Sequence, residues 1–187
     1  TRRLKIVVER PPPSIQDSSG RSSWKVRARR CLRNDSKSAA GAESTLTMGN
    51  NASAYQDQDN DGNPEPGEQP DGGATLDFTG ALVPLNLGLD PLTYINAAIT
   101  NLFYWNNIIH DVFWHYGFDE PAGNFQENNY GNGGAASDPV EADSQDGSGT
   151  NNANFGTPPD GSNPRMQMYI WTQANPDRDS SLDNAII

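Results

Sequence analysis

Between Asp90 and Gly117 the apolar residues recur three or four positions apart, which is the spacing of one face of an α-helix. The pattern predicts one long, largely buried helix over residues 91–116. Asp90 is a suitable N-cap, Pro91 is tolerated in the first turn, and Gly117 is a typical C-terminal stop. The predicted core stripe consists of Ile95, Ile99, Leu102, Trp105, Ile109, Val112 and Tyr116.

Shorter patterns predict strands on both sides of this helix. Before it, residues 44–48 and 74–78 alternate between apolar and polar positions, within a segment rich in Asp, Gly, Asn and Pro. After it, residues 165–172 have the pattern of a strand, and a second helix is expected to open over residues 182–187. The remaining segments are rich in Gly and Asn and are predicted to be loops.

Composition limits the size of the core. The chain has 187 residues, of which 34% are hydrophobic, with 18 Gly and 14 Pro. We therefore expect one domain, or one lobe of a larger domain, with a modest core around the helix. Its single Cys31 excludes an internal disulfide framework and a Cys-rich zinc site. Neither a signal peptide nor a membrane span is predicted, because the apolar runs are short or interrupted by polar residues.

Charge divides the chain into two parts. Residues 1–40 contain 11 Lys and Arg against 3 Asp and Glu, whereas residues 41–187 contain 2 against 21. Residues 1–40 are predicted to be a poorly ordered basic segment; the alternatives are a segment that is not native coding sequence and a nucleic-acid-binding arm. The acidic remainder repels phosphates, so that nucleic acid is not expected as its partner, and it favours cation binding or solubility in a salty exterior.

A calcium-binding loop is predicted between residues 57 and 68. The stretch has the spacing of an EF-hand loop, with alternating carboxylates, Gly62 for the sharp turn and a closing glutamate. Pro64 lies where that loop normally forms a short pairing strand, and neither flank is predicted to be helical. A free-standing calcium loop and a plain acidic solvent loop both remain open. The candidate calcium ligands are Asp57, Asp59, Asp61, Asn63 and Glu68.

The two histidines do not have the spacing of a zinc pair. His110 and His115 are five residues apart on the predicted helix and point roughly 140° away from each other. A helical zinc pair has a spacing of four with Glu between the histidines. We expect both histidines to pack at the edge of the core. Asp111 is placed to orient His110, but no Ser or Cys nucleophile completes a triad.

Several longer strings occur in a fixed order: Gly49-Asn-Asn51, residues 101–118, Gly123-Asn-Phe-Gln126, Asn128-Asn-Tyr-Gly131, Asp138-Pro-Val140, Gln145-Asp-Gly-Ser-Gly149, Asn151-Asn-Ala-Asn-Phe155 and Arg165-Met-Gln-Met-Tyr-Ile-Trp171. With these strings the chain resembles, from about Ala39 onward, the fungalysins, a family of secreted zinc metallopeptidases. The resemblance implies an α+β fold, in which residues 41–187 form the N-terminal strand-and-helix lobe of a thermolysin-like metallopeptidase. It further implies that the sequence is truncated before the zinc helix.

The resemblance also implies a function. Asn152 and Ala153 match an Asn-Ala pair that lies on an edge strand in this family and hydrogen-bonds the backbone of a bound peptide. The whole protein is expected to be an extracellular zinc-dependent endopeptidase of protein substrates, in which zinc polarises the scissile carbonyl and activates water while a Glu acts as base.

The family's zinc-binding string, His-Glu-x-x-His, does not occur in residues 1–187. We expect the zinc ligands beyond Ile187, in the C-terminal part of the peptidase domain, which would be this chain's partner. The chain by itself is therefore predicted to contain no catalytic residue and to be inactive. The competing hypothesis is a non-catalytic, calcium-dependent binding module.

Overall fold

A computed structural model describes residues 4–9, 25–30, 44–82, 86 and 88–181 of the chain. Strands β1 (Leu4–Glu9) and β2 (Lys25–Arg30) form an antiparallel pair in which Leu4 lies opposite Arg30. This pair lies within the segment predicted to be poorly ordered. The domain boundary between residues 40 and 41 stays a prediction.

The centre of the lobe is a four-stranded sheet. Its strands are β3 (Ala52–Gln56), β4 (Val140–Ser144), β5 (Ala153–Gly156) and β6 (Arg165–Met168), in the spatial order β3-β4-β6-β5. Strands β3, β4 and β6 run parallel, and β5 runs antiparallel to β6. Strand β5 is therefore an edge strand, paired on one side only within the described part of the chain.

The two faces of this sheet differ because successive side chains of a strand point to opposite sides. On the apolar face, Ala52, Ala54, Val140, Ala142 and Met168 pack against the helix, with Met166 and Ala153 at the margin. On the other face the strand register brings together Ser53, Tyr55, Glu141, Asp143, Arg165, Gln167 and Asn154, which we call the polar face. Helix and sheet together confirm the predicted α+β fold.

The long helix lies where the sequence predicts it. A 3-10 turn at Pro91–Tyr94 leads into α1 (Ile95–His115), and the Asp90 carboxylate accepts a hydrogen bond from the Leu92 N–H at 2.9 Å. A cap of this kind satisfies an N–H that has no partner within the helix. The buried residues of α1 all lie before residue 108; they are Ala97, Ala98, Ile99, Thr100, Leu102, Phe103, Asn106 and Asn107.

The prediction that this helix is largely buried is wrong for its second half. Val112 is 46% exposed and Tyr116 is 86% exposed, although both belong to the predicted core stripe. In the described part of the chain the sheet is four strands wide, and it covers the part of α1 around Ile99 and Leu102. A helical period alone does not show how far the facing surface extends.

Two predicted strands are not strands. Residues 74–78 begin within a 3-10 turn at Gly73–Thr75 that ends at Leu76 in the left-handed conformation, with φ of 50°. Residues 44–48 contribute only isolated bridges, from Leu46 to Asp71 and from Met48 to Ser53. Both stretches are short and lie among Gly and Asp, where local hydrogen bonds compete with sheet pairing.

The predicted strand at residues 165–172 is confirmed as β6 and the two-residue strand β7 (Ile170–Trp171), which pairs with β8 (Arg178–Asp179). Further 3-10 turns lie at Thr79–Leu82 and Glu120–Ala122. The helix expected over residues 182–187 lies outside the described residues. Within the described ranges no helix has the length and hydropathy needed to cross a membrane.

Candidate functional site

The predicted substrate pair lies at the open edge of the sheet. The Asn152 carbonyl accepts a hydrogen bond from the Tyr169 N–H at 3.3 Å, so that its backbone faces β6. Successive residues of a strand direct their backbone groups to opposite sides. Ala153 therefore directs its N–H and C=O away from β6, toward the unpaired side. The predicted substrate-binding pair, Asn152 and Ala153, therefore lies at a position where a further strand can be added to the sheet.

The entry into this edge strand is fixed by Asn151. The residue has a left-handed backbone with φ of 55°, a conformation that Asn tolerates better than most residues. Its side-chain Oδ1 accepts hydrogen bonds from the N–H groups of Thr172 at 2.9 Å and Gln173 at 3.1 Å. The start of β5 is thereby held to the segment that follows β7.

Three of the five predicted calcium ligands converge. Carboxylate oxygens of Asp57, Asp59 and Asp61 lie within 4.8 Å of one another, with Asp57 buried and the other two exposed. The Asp57 Oδ1 accepts hydrogen bonds from the N–H groups of Asp61 at 3.0 Å and Gly62 at 3.3 Å. Gly62 has φ of 73°, which permits the turn that folds the chain around Asp57. We call residues 57–68 the acidic loop.

The other two predicted ligands form local hydrogen bonds instead. The Asn63 side chain donates to the Asp61 carbonyl at 2.9 Å, and the Glu68 carboxylate accepts from the Glu65 N–H at 2.9 Å. The negative charges of Asp59, Glu68 and Asp61 raise the pKa of the exposed Glu65 carboxyl. Glu65 therefore belongs to the same carboxylate cluster. The loop template missed it because it specifies no acidic residue at that position.

A cluster of three buried aspartates around one arginine adjoins the acidic loop. Asp57, Asp143 and Asp146 are buried, and their carboxylates converge on Arg165. The Arg165 guanidinium contacts Asp57 Oδ2 at 2.5 Å and Asp146 Oδ2 at 3.4 Å through Nη2, and it contacts Asp143 through Nε. It also lies against the loop turn, since a Cβ added to Gly62 would be 3.4 Å from its Cζ.

Charge and burial have opposite effects on the pKa values of this cluster. Burial raises the pKa of the Asp143 carboxyl to about 6, although the hydrogen bond from Arg165 acts in the other direction. Burial acts to lower the pKa of Arg165, but the hydrogen bond to Asp143 and the surrounding carboxylates raise it overall. Arg165 therefore stays charged and is the cation of the cluster.

Sequence reasoning placed Arg165 in the predicted strand of residues 165–172 and gave it no further role. Arg165 is one of only two Lys or Arg residues after residue 40, the other being Arg178. In so acidic a segment, an isolated basic residue is a signal for a structural ion pair, because buried carboxylates need a partner charge.

The acidic loop is docked on the segment that leads into the edge strand. The Gly147 N–H donates to the Asp57 carbonyl at 2.8 Å, and the Asp57 N–H donates to the Ser144 carbonyl at 3.3 Å. A Cβ added to Gly147 would lie 1.9 Å from the Gln58 carbonyl oxygen, so that only glycine permits this approach. These backbone contacts therefore join the acidic loop to the segment that leads from β4 toward the edge strand.

The histidines take no part in a metal cluster of the described residues. His110 is 12% exposed, and its Nε2 lies 3.0 Å from the Gln126 amide nitrogen and 3.3 Å from that of Asn124. Its Nδ1 lies 3.4 Å from the Asp111 carboxylate, and His115 is exposed. Groups of three or more potential ligands in these residues consist of Asp alone. The described residues therefore do not fit a catalytic zinc, which takes three close ligands and an open position.

Comparisons of the chain with a family model and with individual proteins both point to metallopeptidases. The family model for Fungalysin metallopeptidase (M36) matches residues 12–187, so that the match begins before Ala39. Extracellular metalloproteinase 1 of Arthroderma otae is 49% identical over 144 residues, which cover 76% of this chain and 22% of that protein.

The proteins of the same name from Trichophyton rubrum and Trichophyton equinum are each 49% identical over 152 residues, again 76% of this chain, with 22% and 23% of their own length covered. The chain thus spans about a fifth of the length of these relatives.

Proposed function

Because the chain belongs to the fungalysin metallopeptidase family, we propose that it is the peptide-holding lobe of an extracellular zinc metalloendopeptidase that acts on protein substrates. The family membership confirms the resemblance read from the sequence. The relatives are named extracellular metalloproteinases, which supports both the activity and the location. The observation that carries the proposal is the open edge of β5, with the backbone of Ala153 directed away from the sheet.

The proposed role of Asn152 and Ala153 is strand addition. An extended peptide laid along β5 would accept a hydrogen bond from the Ala153 N–H and donate one to its carbonyl, while the exposed Asn152 side chain lies beside it. Main-chain hydrogen bonds of this kind supply affinity with little dependence on the peptide's sequence. An edge strand of this kind orients the scissile bond but does not cleave it. The zinc and its ligands would belong to the C-terminal part of the peptidase domain.

Ala153→Pro in the whole protein tests the edge directly. Proline removes the outward N–H but no hydrogen bond to β6, and proline is tolerated on an edge strand in that orientation. We expect the dissociation constant of a non-hydrolysable peptide to rise roughly two- to tenfold, the range of one net hydrogen bond. The matched control is Ala136→Pro, in an exposed loop. Equal peptide affinity in both variants would refute the proposed edge.

A second test separates the lobe from the whole enzyme. Residues 1–187 alone should neither bind zinc tightly nor cleave casein, because the described residues offer no zinc ligand set. The whole protein should do both, and a chelator should abolish its activity. Chelator-sensitive cleavage by residues 1–187 would overturn this division. A whole protein that binds calcium but cleaves nothing would instead support the calcium-dependent binding module.

The acidic loop is proposed as a calcium site, with Asp57, Asp59 and Asp61 as its core. Asn63 and Glu68, the other two candidates, would have to exchange their local hydrogen bonds for the ion. Clustered carboxylates repel one another, as the raised pKa of Glu65 indicates, and a hard cation with oxygen ligands relieves that repulsion.

Calorimetry with calcium should detect binding to the whole protein that Asp59→Ala weakens at least tenfold, whereas Asp177→Ala, outside the loop, should have no effect. Equal calcium affinity in the two variants would show that the acidic loop does not bind calcium.

A further inference from the structure

We propose that Arg165 is a positioning residue for peptide binding, acting through a hydrogen-bond network that joins the acidic loop to the edge strand. The inference rests on the proposed peptide-holding function of β5. It assigns the polar face of the sheet a role in that function, whereas the opposite face forms the core. The network lies on this face and consists of Asp57, Arg165, Asp146, Ser148, Gln167, Tyr169 and Asn154.

Arg165 is the branch point of the network. Its guanidinium lies between the acidic loop, through Asp57, and the segment that precedes β5, through Asp146. The third contact, with Asp143 on β4, holds the fork in place from the middle of the sheet. One planar group with several fixed N–H donors can pair with one oxygen of each of these carboxylates at once, whereas a lysine ammonium has all its donors on a single nitrogen.

From Arg165 the network continues into the segment before the edge strand. The Asp146 Oδ1 accepts hydrogen bonds from the Ser148 N–H at 2.7 Å and the Ser148 hydroxyl at 2.5 Å. Its Oδ2 accepts from the Gln167 side chain at 2.7 Å, so that β6 is tied to the same carboxylate. Asp146 thereby fixes the backbone turn through which the chain passes toward Asn152.

The last step reaches the edge strand itself. The Tyr169 hydroxyl accepts a hydrogen bond from the Asn154 side-chain amide at 2.7 Å. It also lies 3.3 Å from the Ser148 hydroxyl oxygen, to which it can donate its own proton because the Ser148 proton is directed to Asp146. Asn154 follows Ala153 directly, and the two side chains point to opposite faces of the sheet. Ala153 packs against the apolar core. The edge strand is therefore fixed from one face at Ala153, where the peptide is proposed to bind, and from the other face at the next residue, Asn154.

The consequence is preorganisation. An edge strand held in one position before the peptide arrives loses less conformational freedom on binding, and this raises affinity without any added contact to the peptide. Because Asp57 belongs both to the acidic loop and to the network, changes in the loop would be transmitted to the edge. The coupling would run through Arg165 and through the contact between Gly147 and Gln58.

The test uses Tyr169→Phe and Arg165→Lys in the whole protein. Tyr169→Phe removes only the hydroxyl that accepts from Asn154, and Tyr116→Phe, at a side chain that is almost fully exposed, is its matched control. Arg165→Lys keeps the charge but loses the fork. We expect Tyr169→Phe to raise the dissociation constant of a non-hydrolysable peptide roughly three- to tenfold, and Arg165→Lys to raise it at least as much.

Further measurements distinguish positioning from loss of structure. KM for a peptide substrate should rise with kcat nearly unchanged, and hydrogen exchange of the Asn154 and Gly156 amides, which face β6, should become faster. Near-UV circular dichroism should match that of the wild type. If Arg165→Lys does not fold, Tyr169→Phe decides alone.

The outcome for Ala153→Pro keeps the two proposals apart. If Ala153→Pro binds the peptide as tightly as the wild type, the proposed function fails and the inference fails with it. If Ala153→Pro weakens binding whereas Tyr169→Phe leaves both affinity and amide exchange unchanged, the edge is correct and the positioning network is overturned.

Discussion

The apolar and the polar face of the sheet are built from alternate residues of the same four strands, yet different interactions stabilise them. On the apolar face small residues such as Ala52, Ala54 and Ala142 allow α1 to approach closely, and Ile99 and Leu102 fill the space between them. Contacts of this kind are non-directional and depend on volume. On the polar face three buried carboxylates surround one guanidinium. Those contacts depend on charge and on the direction of each hydrogen bond.

The difference indicates that the two faces of the sheet have different roles within one lobe. An apolar core accepts many sequences of suitable volume, so that it holds the strands together without specifying a site. A network of charged groups requires particular residues at particular positions, and its partial loss leaves buried charge unpaired. The polar face is also the face that connects the acidic loop with the edge strand. We therefore expect substitutions on the two faces to differ in kind as well as in size.

Arg165→Met on the polar face and Leu102→Ala on the apolar face should have the two largest effects on stability. The substitution keeps much of the aliphatic stem but leaves Asp57, Asp143 and Asp146 without their cation. Removing one partner of a buried ion pair costs about 3–5 kcal/mol, and the lower end is expected here because the Arg165 side chain is 33% exposed. Chemical denaturation of the whole protein measures the loss. A change below about 1 kcal/mol would mean that the carboxylates are satisfied without Arg165.

Leu102→Ala is the matching perturbation of the apolar face. Leu102 is fully buried between α1 and the sheet, and such truncations cost about 2–5 kcal/mol through lost burial and the remaining cavity. The control is Tyr116→Ala, on the exposed end of the same helix, for which we expect less than about 0.5 kcal/mol. Denaturation at two ionic strengths sharpens the comparison. Salt should alter the effect of Arg165→Met but not that of Leu102→Ala.

The helix could be predicted from the sequence because its signals are local. The Asp90 cap, the apolar period and Gly117 all lie within the helix or next to it, and the boundaries at residues 91 and 116 agree with the structure. The buried extent could not be predicted in the same way. Whether Val112 is covered depends on the width of a sheet whose strands lie far away in the sequence.

Strands β3 and β4 were missed for a related reason. Their sequences, Ala52-Ser-Ala-Tyr-Gln56 and Val140-Glu-Ala-Asp-Ser144, combine residues that are rare in strands, including Asp and Glu. The residues on each face of these strands are stabilised by partners from other elements: the alanines pack against α1, and Asp143 pairs with Arg165. The acidic loop and the Asn-Ala pair could be identified because their spacing is a local motif. The network between them could not, because Arg165 lies 108 residues from Asp57 in sequence.

Gly147→Ala should have an intermediate effect that is confined to the polar side. The added Cβ would lie 1.9 Å from the Gln58 carbonyl oxygen, so that the acidic loop has to move away from the segment before β5. Overpacking of this kind costs about 1–3 kcal/mol. The control is Gly80→Ala, where a Cβ meets nothing within 4 Å. If both substitutions leave the stability unchanged, the loop is not docked on this segment as tightly as the structure indicates.

Asp143→Asn should have the smallest effect, and its dependence on pH is the informative part. Burial raises the pKa of Asp143 to about 6, above its ordinary value. A carboxyl with a raised pKa binds its proton more tightly in the folded state, so that the resulting stability is present at low pH and is lost as the pH rises through 6. Between pH 5 and pH 7 the wild type should therefore lose about 1 kcal/mol that Asp143→Asn does not lose.

Denaturation in the presence of a chelator, at pH 5 and pH 7, measures this difference without calcium. Asp71→Asn is a control without a pH effect in this range, because the hydrogen bond from the Gly73 N–H lowers the pKa of that exposed carboxyl. Stability from a lowered pKa is fully present above the ordinary pKa of the carboxyl and is lost only as the pH falls below it, so that the gap between the wild type and Asp71→Asn should be the same at pH 5 and pH 7. If the gap between the wild type and Asp143→Asn is the same at both pH values, the pKa of the Asp143 carboxyl is not raised in the folded protein.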